Sequence, residues 1–376
     1  MTEEQLAVLC IDDDPYMLRA LQRLLRRLRP NWQVHCESQV GQLDFTKLPP
    51  FALVISDYLM PDMNGDKVLM AFQQSRPECV RVLLTGDTNT ILPQHTHKYA
   101  HFLIAKPFSQ EAFLHLFSAI DRLQQLPFNH ACRHQLGGLI DIPIPDQLIK
   151  DLQANINSSH CTIDDLAHIV SQDPVLAAKI IQMANSAYFG YQRHTDSLSE
   201  AVARLGAKLV ESIALSLLVN NLHPTKIQQE ISERAYRSSA LSRSIAKQLG
   251  FSHEEQDKVF IVNLLSCLGK IFLLTKGAQV SQFADYYQLQ AGFADSEIIS
   301  AFMLIIWGYD TELGDLILSQ SRASWEGTRM EQLAYISNLA NELQQHALAD
   351  WPNRIAQEPE LIKNILQKHL AQEVGT

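Results

Sequence analysis

Five side chains of the kinds that handle phosphoryl groups occur in the N-terminal part of the chain. They are Asp12, Asp13, Asp57, Thr85 and Lys106, and each lies at or next to the end of an apolar run. Carboxylates that share one site repel one another, so they need a hard cation such as Mg²⁺ beside them. An aspartate held there can attack phosphorus and form an aspartyl-phosphate, while a lysine and a hydroxyl bind the phosphoryl oxygens. These residue types therefore predict a magnesium-dependent phosphoryl-accepting site.

Four apolar runs have the length and composition of strands buried in a parallel sheet. They are LAVLCI, FALVIS, RVLLT and HFLIA, at residues 6–11, 51–56, 81–85 and 101–105, and helical patterns separate them. Ligands of an open parallel sheet lie beyond the carboxyl ends of its strands. This order therefore brings the five polar residues to one edge, and we expect an α/β doubly wound domain.

After about residue 122 the strand pattern stops and helical signals follow. Three pairs have the spacing of a capping box: Thr162 with Asp165, Ser197 with Glu200, and Ser252 with Glu255. Asp173 and Pro174 fit an N-cap followed by proline at the first helical position, and Gly206 and Gly250 fit helix ends. The second half is therefore expected to be an all-α domain.

Composition limits the classes of protein to consider. The 376 residues are too many for one ordinary core, and 46% hydrophobic with 19% charged residues is typical of globular domains. A net charge of −10 argues against DNA as a partner, because phosphate contacts need a basic surface. The six cysteines form no C-x-x-C pair, no signal peptide is evident, and the run AFMLIIW is too short for a membrane span. We expect a cytoplasmic protein that binds neither DNA nor membranes.

The motifs VLCIDDDP, LVISDYLMPDMNG, VLLTGD and AKPF occur in this order over about residues 5–122. Together they resemble the receiver domain of bacterial two-component response regulators, which has a flavodoxin-like fold. The resemblance implies that Asp57 accepts phosphate from a sensor histidine kinase. It also implies that Asp12, Asp13, Asp57 and the carbonyl of Leu59 hold Mg²⁺.

The same resemblance assigns the residues that respond to the phosphoryl group. Thr85 and Lys106 would bind it. Three residues before the lysine, many receivers carry a Tyr or Phe that rotates on phosphorylation, but this chain has Leu103, with Phe102 beside it. We therefore expect phosphorylation without the usual aromatic rotation. Receivers often pair through their last strand and helices when phosphorylated, so a homodimer is possible.

The segments SQDPVLAAKIIQMANSAYFG and SLSEAVARLG resemble the HDOD domain, a helical signalling module related to metal-dependent HD phosphohydrolases; the likeness runs from about residue 143 to 345. In catalytic HD proteins a His-Asp pair, followed by Gly-Lys, binds the metals. In NLLSCLGK that pair is Ser266 and Cys267, and Ser238 and Thr311 stand where active relatives place histidines. Serine and a lone buried thiol are poor ligands for a hard metal. The resemblance thus implies a degenerate HD site with no hydrolytic activity.

These observations predict a receiver domain at residues 1–122, a linker at 123–142, an HDOD output domain at 143–345 and a helical tail at 346–376. The leading hypothesis is a response regulator whose HDOD domain binds an unidentified downstream protein, with the signal passing through the linker. The alternatives are a receiver-controlled cyclic-dinucleotide phosphodiesterase and a sensor of a small nucleotide. A transcription factor is disfavoured, because no compact basic recognition helix is apparent.

Overall fold

The computed structural model describes most of the chain, from residue 6 to residue 374. The described ranges are 6–45, 47–86, 99–126, 130–137, 145–158, 160–186, 193–218, 224–276 and 295–374. Within them, an N-terminal sheet with flanking helices is followed by a domain built of helices alone. This confirms the predicted fold class.

Five parallel strands form the N-terminal sheet. They are β1 (Ala7–Ile11), β2 (Gln33–Glu37), β3 (Leu53–Asp57), β4 (Val80–Thr85) and β5 (Phe102–Ala105). Their order is β2-β1-β3-β4-β5, the flavodoxin-like order, in which the direction of winding reverses between β1 and β3. The carboxyl ends of β1 and β3 are therefore neighbours, which places Asp12 beside Asp57.

Strand β2 was not among the predicted strands. Its sequence, QVHCE, lacks the continuous apolar run of a buried strand, and Gln33, His35 and Cys36 are exposed. It lies at the edge of the sheet and pairs with β1 alone. An edge strand of this kind needs no apolar run on both faces, so the criterion that found the other four could not find it.

Among the described residues, four helices accompany the sheet. They are α1 (Pro15–Leu28), α2 (Gly65–Ser75), α3 (Gln110–Gln125) and α4 (His130–Gly137). The carboxylate of Asp14 accepts from the amide of Tyr16 and so caps α1, and Ser109 caps α3. Helix α4 lies inside the segment predicted as a linker, while residues 127–129 and 138–142 of that segment lie outside the described residues.

Thirteen helices are described in the second domain. They are α5 (Asp146–Ile156), α6 (Ile163–Ser171), α7 (Pro174–Ala184), α8 (Leu198–Leu205), α9 (Ala207–Leu218), α10 (Lys226–Gln248), α11 (His253–Ser266), α12 (Leu268–Lys276), α13 (Asp295–Ile306), α14 (Thr311–Ser319), α15 (Arg329–Gln345), α16 (Trp351–Ile355) and α17 (Glu360–Val374). Every residue of α7 is buried, so this helix is the centre of the domain core. The tail packs onto the domain: Trp351 is buried and its indole N–H donates to the carbonyl of Leu343.

The helix boundaries agree with most of the predicted caps. Thr162 and Ser252 form capping boxes with Asp165 and Glu255. Asp173 caps α7 by accepting from two backbone amides. Gly206 and Gly250 both adopt positive φ at helix ends, as glycine does readily.

The cap predicted at Ser197 is different. Ser197 precedes α8, but its hydroxyl makes no capping hydrogen bond. The carboxylate of Glu200 instead accepts from the hydroxyl of Thr195 at 2.7 Å and pairs with Arg204 at 2.6 Å. The spacing alone could not distinguish these partners. None of the described helices has the length and hydrophobicity needed to cross a bilayer.

Candidate functional site

Three carboxylates meet at the carboxyl edge of the sheet. Asp12 and Asp13 follow β1, and Asp57 is the last residue of β3. Their ligand atoms all lie within 4.8 Å of one another; Asp12 and Asp57 are buried, and Asp13 is exposed. The oxygens of these carboxylates are hard donors at a spacing that one Mg²⁺ can bridge, so this donor set fits the predicted cation.

Lys106 joins the carboxylates from the end of β5. Its ammonium lies 2.9 Å from Oδ2 of Asp12 and 2.7 Å from Oδ1 of Asp57. The backbone holds the lysine in place, because its amide donates to the carbonyl of Thr85 at 2.7 Å. Thr85 is buried at the end of β4. The sequence prediction that Asp12, Asp13, Asp57, Thr85 and Lys106 share one sheet edge agrees with this geometry.

The charges of the site influence one another. Burial raises the pKa of Asp57 above its usual value, and the hydrogen bond from Lys106 opposes that rise without cancelling it. Burial alone would lower the pKa of Lys106, but its hydrogen bonds with Asp57 and Asp12 outweigh burial and raise it. The lysine therefore stays protonated at neutral pH and acts as a fixed positive charge between two carboxylates.

The loop after Asp57 depends on one glycine that the sequence prediction did not single out. The amide of Gly65 donates to the carbonyl of Tyr58 at 2.9 Å and closes the loop that contains Leu59. A Cβ at position 65 would lie 2.0 Å from the carbonyl oxygen of Asp57. Only glycine permits this approach. The side chain of Leu59 is 60% exposed, so any part this residue plays in binding a cation falls to its backbone carbonyl.

Leu103 and Phe102 lie next to each other on β5 but have different surroundings. Leu103 is 6% exposed, within the core. Phe102 is half-buried, and its ring packs against Gly308, which lies in the connection between α13 and α14 of the helical domain. The aromatic residue beside the expected switch position thus contacts the second domain.

The residues predicted to stand at the HD pair line a cavity of about 150 Å³ in the helical domain. Ser238 of α10, Ser266 of α11 and Cys267 contribute to its wall. Ser266 donates to the carbonyl of Asn263 at 2.9 Å, and Cys267 donates to that of Leu264 at 3.3 Å. Burial raises the pKa of the Cys267 thiol, so it stays protonated.

Thr311, the fourth residue of the predicted degenerate site, does not line this cavity. It begins α14, whose N-cap is Asp310, and is half-buried there. Asn263, Gln320 and Lys270 do line the cavity. The sequence prediction did not include Asn263 and Gln320, because it considered only the positions that hold metal ligands in catalytic HD proteins.

Comparison with known proteins agrees with the two-domain fold. The response regulator receiver domain family matches residues 8–118, and the HDOD domain family matches residues 142–306. The chain therefore contains a response regulator receiver domain followed by an HDOD domain. The exact boundaries predicted from the sequence, including the tail at 346–376, remain predictions.

The curated relatives match about a third of the chain. The two-component response regulator ORR22 of Oryza sativa subsp. indica is 34% identical over 122 residues, which is 31% of this chain and 17% of that protein. An uncharacterized protein of Treponema pallidum (strain Nichols) is 28% identical over 134 residues, 35% of this chain and 26% of that protein. This chain thus spans less than a fifth of the rice relative's length.

Solved structures with similarity to the chain include HDOD proteins and response regulators. The MmoQ response regulator of Methylococcus capsulatus str. Bath has 20% identity and a TM-score of 0.48, over 60% of this chain and 93% of that one. An HDOD domain protein of unknown function from Geobacter sulfurreducens has 17% identity and a TM-score of 0.33, over 68% of this chain and 95% of that one.

The receiver and the HDOD domain touch along β5 and α3. The side-chain amide of Gln182, on α7, donates to the carbonyl of His101 at 3.2 Å. Arg122 of α3 forms an ion pair with Asp315 of α14. The imidazole rings of His115 and His194 pack with their centroids 4.3 Å apart. These contacts, which we call the domain interface, link the receiver directly to the core of the HDOD domain.

A buried arginine attaches helix α4 to the same part of the receiver. Arg81 is fully buried in β4, and its guanidinium donates to the carbonyls of Tyr99 at 2.7 Å, Pro77 at 2.9 Å and Gly137 at 3.1 Å. It also contacts Nε2 of His101 at 2.8 Å. Burial lowers its pKa to about 10, which still leaves it charged at neutral pH. The arginine therefore connects the receiver sheet, the linker helix and the residue that contacts Gln182.

Proposed function

We propose that the protein is a phosphorylation-switched regulator in which phosphate on Asp57 alters the domain interface and thereby the binding of a protein by the HDOD domain. One observation carries this proposal. Strand β5 leads into Lys106 at the acidic site, and at its opposite end its first residue, Phe102, and the preceding residue, His101, contact the HDOD domain. A movement of the lysine therefore acts on an element that both domains share.

The chemistry follows from the site. A carboxylate oxygen of Asp57 attacks the phosphorus of a phosphohistidine on a sensor kinase; the new O–P bond forms as the N–P bond breaks, and histidine leaves. Asp12, Asp13, Asp57 and the Leu59 carbonyl would hold Mg²⁺, which neutralises the charge of the carboxylates and the phosphoryl group. Lys106 and the Thr85 hydroxyl would then donate to phosphoryl oxygens.

The switch rests on a change of partner for Lys106. In the unphosphorylated protein the ammonium is shared by Asp12 and Asp57. A phosphoryl group on Asp57 offers it stronger acceptors, and differential contacts of this kind shift an existing two-state equilibrium. Because Leu103 replaces the usual aromatic residue, we assign the transmission to β5 as a unit, with Phe102 against Gly308.

In this proposal the HDOD domain acts by binding, and not by hydrolysis, because Ser266 and a protonated Cys267 offer poor ligands for a hard metal. Cyclic dinucleotides incubated with the protein and Mn²⁺, Fe²⁺ or Mg²⁺ are expected to remain intact. Clear turnover would favour the phosphodiesterase alternative.

In this proposal the homodimer forms only after the receiver is phosphorylated. Part of the receiver face formed by β5 and α3, through which receivers often pair, is covered here by the HDOD domain. Pairing through that face therefore requires the domain interface to open. Light scattering with and without phosphorylation is expected to show a larger particle only after phosphorylation.

The direct test is phosphorylation by acetyl phosphate and Mg²⁺. Wild-type protein should gain one phosphoryl group by intact mass, and the Asp57→Asn variant should gain none. Asp66→Asn is the matched control, since Asp66 lies on nearby α2 outside the acidic site and should leave phosphorylation unchanged. A persistent phosphoryl group on Asp57→Asn contradicts the assignment.

The downstream half of the proposal is tested by protein capture. Immobilised protein with beryllium fluoride and Mg²⁺, which mimic the phosphoryl group, should retain a partner that Asp57→Asn fails to retain. Identical capture in all conditions contradicts a switched interaction.

A further inference from the structure

Two cysteines lie side by side near the open edge of the receiver sheet. Cys10 of β1 is paired in register with Cys36 of β2, which is the edge strand. Both are free thiols, but Cys10 is 0% exposed, whereas Cys36 is exposed. The pair therefore combines one thiol that a small molecule in solution can reach with one that it cannot.

The backbone geometry permits a bond between the two sulfurs. Neighbouring strands lie about 4.8 Å apart, and residues paired in register point to the same face of the sheet. Disulfides join residues whose Cα atoms lie roughly 4.4 to 6.8 Å apart and whose Cβ atoms do not point away from each other. Cys10 and Cys36 meet both conditions, and the thiol of Cys10 donates a hydrogen bond to the sulfur of Cys36. The two sulfurs are therefore in contact before any oxidation.

Cys36 has the surroundings of a reactive thiol. The hydrogen bond from Cys10 is the main cause that lowers the pKa of Cys36 to about 7; partial burial opposes it, and Arg26 of helix α1 lowers it further. A thiol with a lowered pKa is largely a thiolate near neutral pH, and the thiolate is the form that attacks oxidants. Exposure and charge together indicate that Cys36 reacts first.

We propose that Cys10 and Cys36 form a reversible disulfide when the protein meets hydrogen peroxide. The Cys36 thiolate attacks one peroxide oxygen; the S–O bond forms as the O–O bond breaks, and the hydroxide that leaves takes a proton from solvent. The sulfur of Cys10 then attacks the sulfenic acid of Cys36. The S–S bond forms as the S–O bond breaks, and the leaving hydroxide takes the Cys10 proton and departs as water. The two sulfurs together lose two electrons, which reduce one molecule of peroxide.

The position of the pair separates this reaction from the phosphoryl chemistry of the receiver. Neither sulfur belongs to the group formed by Asp12, Asp13 and Asp57. The bridge would join the two ends of the segment 10–36, which contains helix α1 and two of these carboxylates. The proposed bond therefore fastens the edge strand to β1 without using any group assigned to the phosphoryl site.

The test detects the bridge directly in the full chain. Reduced protein, freed of reductant, is treated with a small excess of hydrogen peroxide at about pH 7.5, then unfolded in iodoacetamide and digested with trypsin. The tryptic peptides 1–19 and 28–47, which contain Cys10 and Cys36, should be recovered as one linked species. Dithiothreitol added before the alkylation should separate them. Before the bridge is complete, Cys36 should be consumed at least about tenfold faster than Cys161.

Variants assign the roles of the two thiols. Cys36→Ser should give no linked peptide. Cys10→Ala, checked for folding by its melting curve, should stop at the sulfenic acid of Cys36, which dimedone traps as an adduct. That step should be slower than in the wild type, because the hydrogen bond from Cys10 is lost. Cys161→Ser is the matched control: Cys161 is a partly exposed thiol outside the receiver sheet, and its removal should leave the bridge unchanged.

Three results overturn the proposal: peptides that stay separate in the treated wild type, a bridge from Cys10 or Cys36 to any other cysteine, or oxidation of Cys36 no faster than that of Cys161. None of them bears on phosphorylation of Asp57, which is measured separately by mass.

Discussion

The receiver site and the HDOD cavity handle charge in opposite ways. At the sheet edge, Lys106 lies within 3 Å of both Asp12 and Asp57, so every buried charge has a partner of opposite sign. In the cavity, Arg234 and Lys270 have no such partner among the described residues, and the buried amides of Asn263 and Gln320 keep unmet hydrogen-bonding atoms. The charges of the first site are paired with one another, whereas the two cations of the second have no ion-pair partner among the described residues.

This difference shows what each site needs in order to act. In the proposed function, the compensated site changes state when a phosphoryl group on Asp57 takes Lys106 from its present partners. Arg234 and Lys270 line the cavity without such ion pairs among the described residues, so an exchange of charged partners has no counterpart there. Four predictions test this comparison.

The largest effect is expected from crowding the receiver site. Gly65→Ala places a Cβ 2.0 Å from the carbonyl oxygen of Asp57 and 2.8 Å from Leu83, so the loop must move. We expect a loss of about 3 kcal/mol or more in unfolding free energy, measured by urea denaturation. Gly41→Ala is the control, because its Cβ would meet nothing nearer than 3.5 Å. Equal stability of the two variants would show that the loop is not constrained by position 65.

Lowering the pH should destabilise the protein through a histidine of the domain interface. Burial lowers the pKa of His115 to about 4, and the neighbouring His194 lowers it further by a smaller amount, while Asp310 raises it. Burial also lowers the pKa of His194. At His115 the unfolded chain therefore binds more protons than the folded one between about pH 6.5 and 4, so the contribution of this histidine to stability is lost as the pH is lowered through this window.

The expected loss from His115 is about 2 kcal/mol at pH 5 relative to pH 7.5. It is measured as the difference in urea midpoint between the two pH values. His115→Leu, which cannot be protonated, should lose less stability on acidification than the wild type. If both respond alike, the histidine is not responsible.

Removing the shared cation should expose the repulsion between the carboxylates. Lys106→Met leaves Asp12 and Asp57 facing each other, and we expect about 1 to 2 kcal/mol of destabilisation at pH 7. Mg²⁺ should restore part of it and raise the melting temperature of the variant more than that of the wild type. Lys67→Met, an exposed lysine on α2, is the control. A variant that Mg²⁺ does not stabilise would contradict the cation site.

The smallest effect is expected in the HDOD cavity. Cys267→Ala removes a small buried side chain whose thiol donates one weak hydrogen bond, to the carbonyl of Leu264. We expect a loss of about 1 kcal/mol or less, with no dependence on Mg²⁺ or Zn²⁺. A metal-dependent melting temperature that Cys267→Ala abolishes would mean that the thiol is a ligand after all.

The sequence by itself determined the fold class, the acidic edge and most helix caps. Asp12, Asp57, Thr85 and Lys106 end runs that are mostly apolar, and the position of a ligand site in a parallel sheet follows from the order of such runs. Asp173 and Thr162 cap helices through partners two or three residues away. These features depend on residues that are close in the sequence, so they can be predicted without the tertiary structure.

The tertiary structure alone decided the features that depend on distant residues. Strand β2 exists because β1 provides a partner, and α4 lies against the receiver where the sequence indicated only a connector. The hydrogen bond from Gln182 to His101 joins residues 81 positions apart. Asn263, Lys270 and Gln320 meet in one cavity only because three separate segments pack together. Packing between distant segments leaves no local pattern, so these contacts could not have been predicted from the sequence.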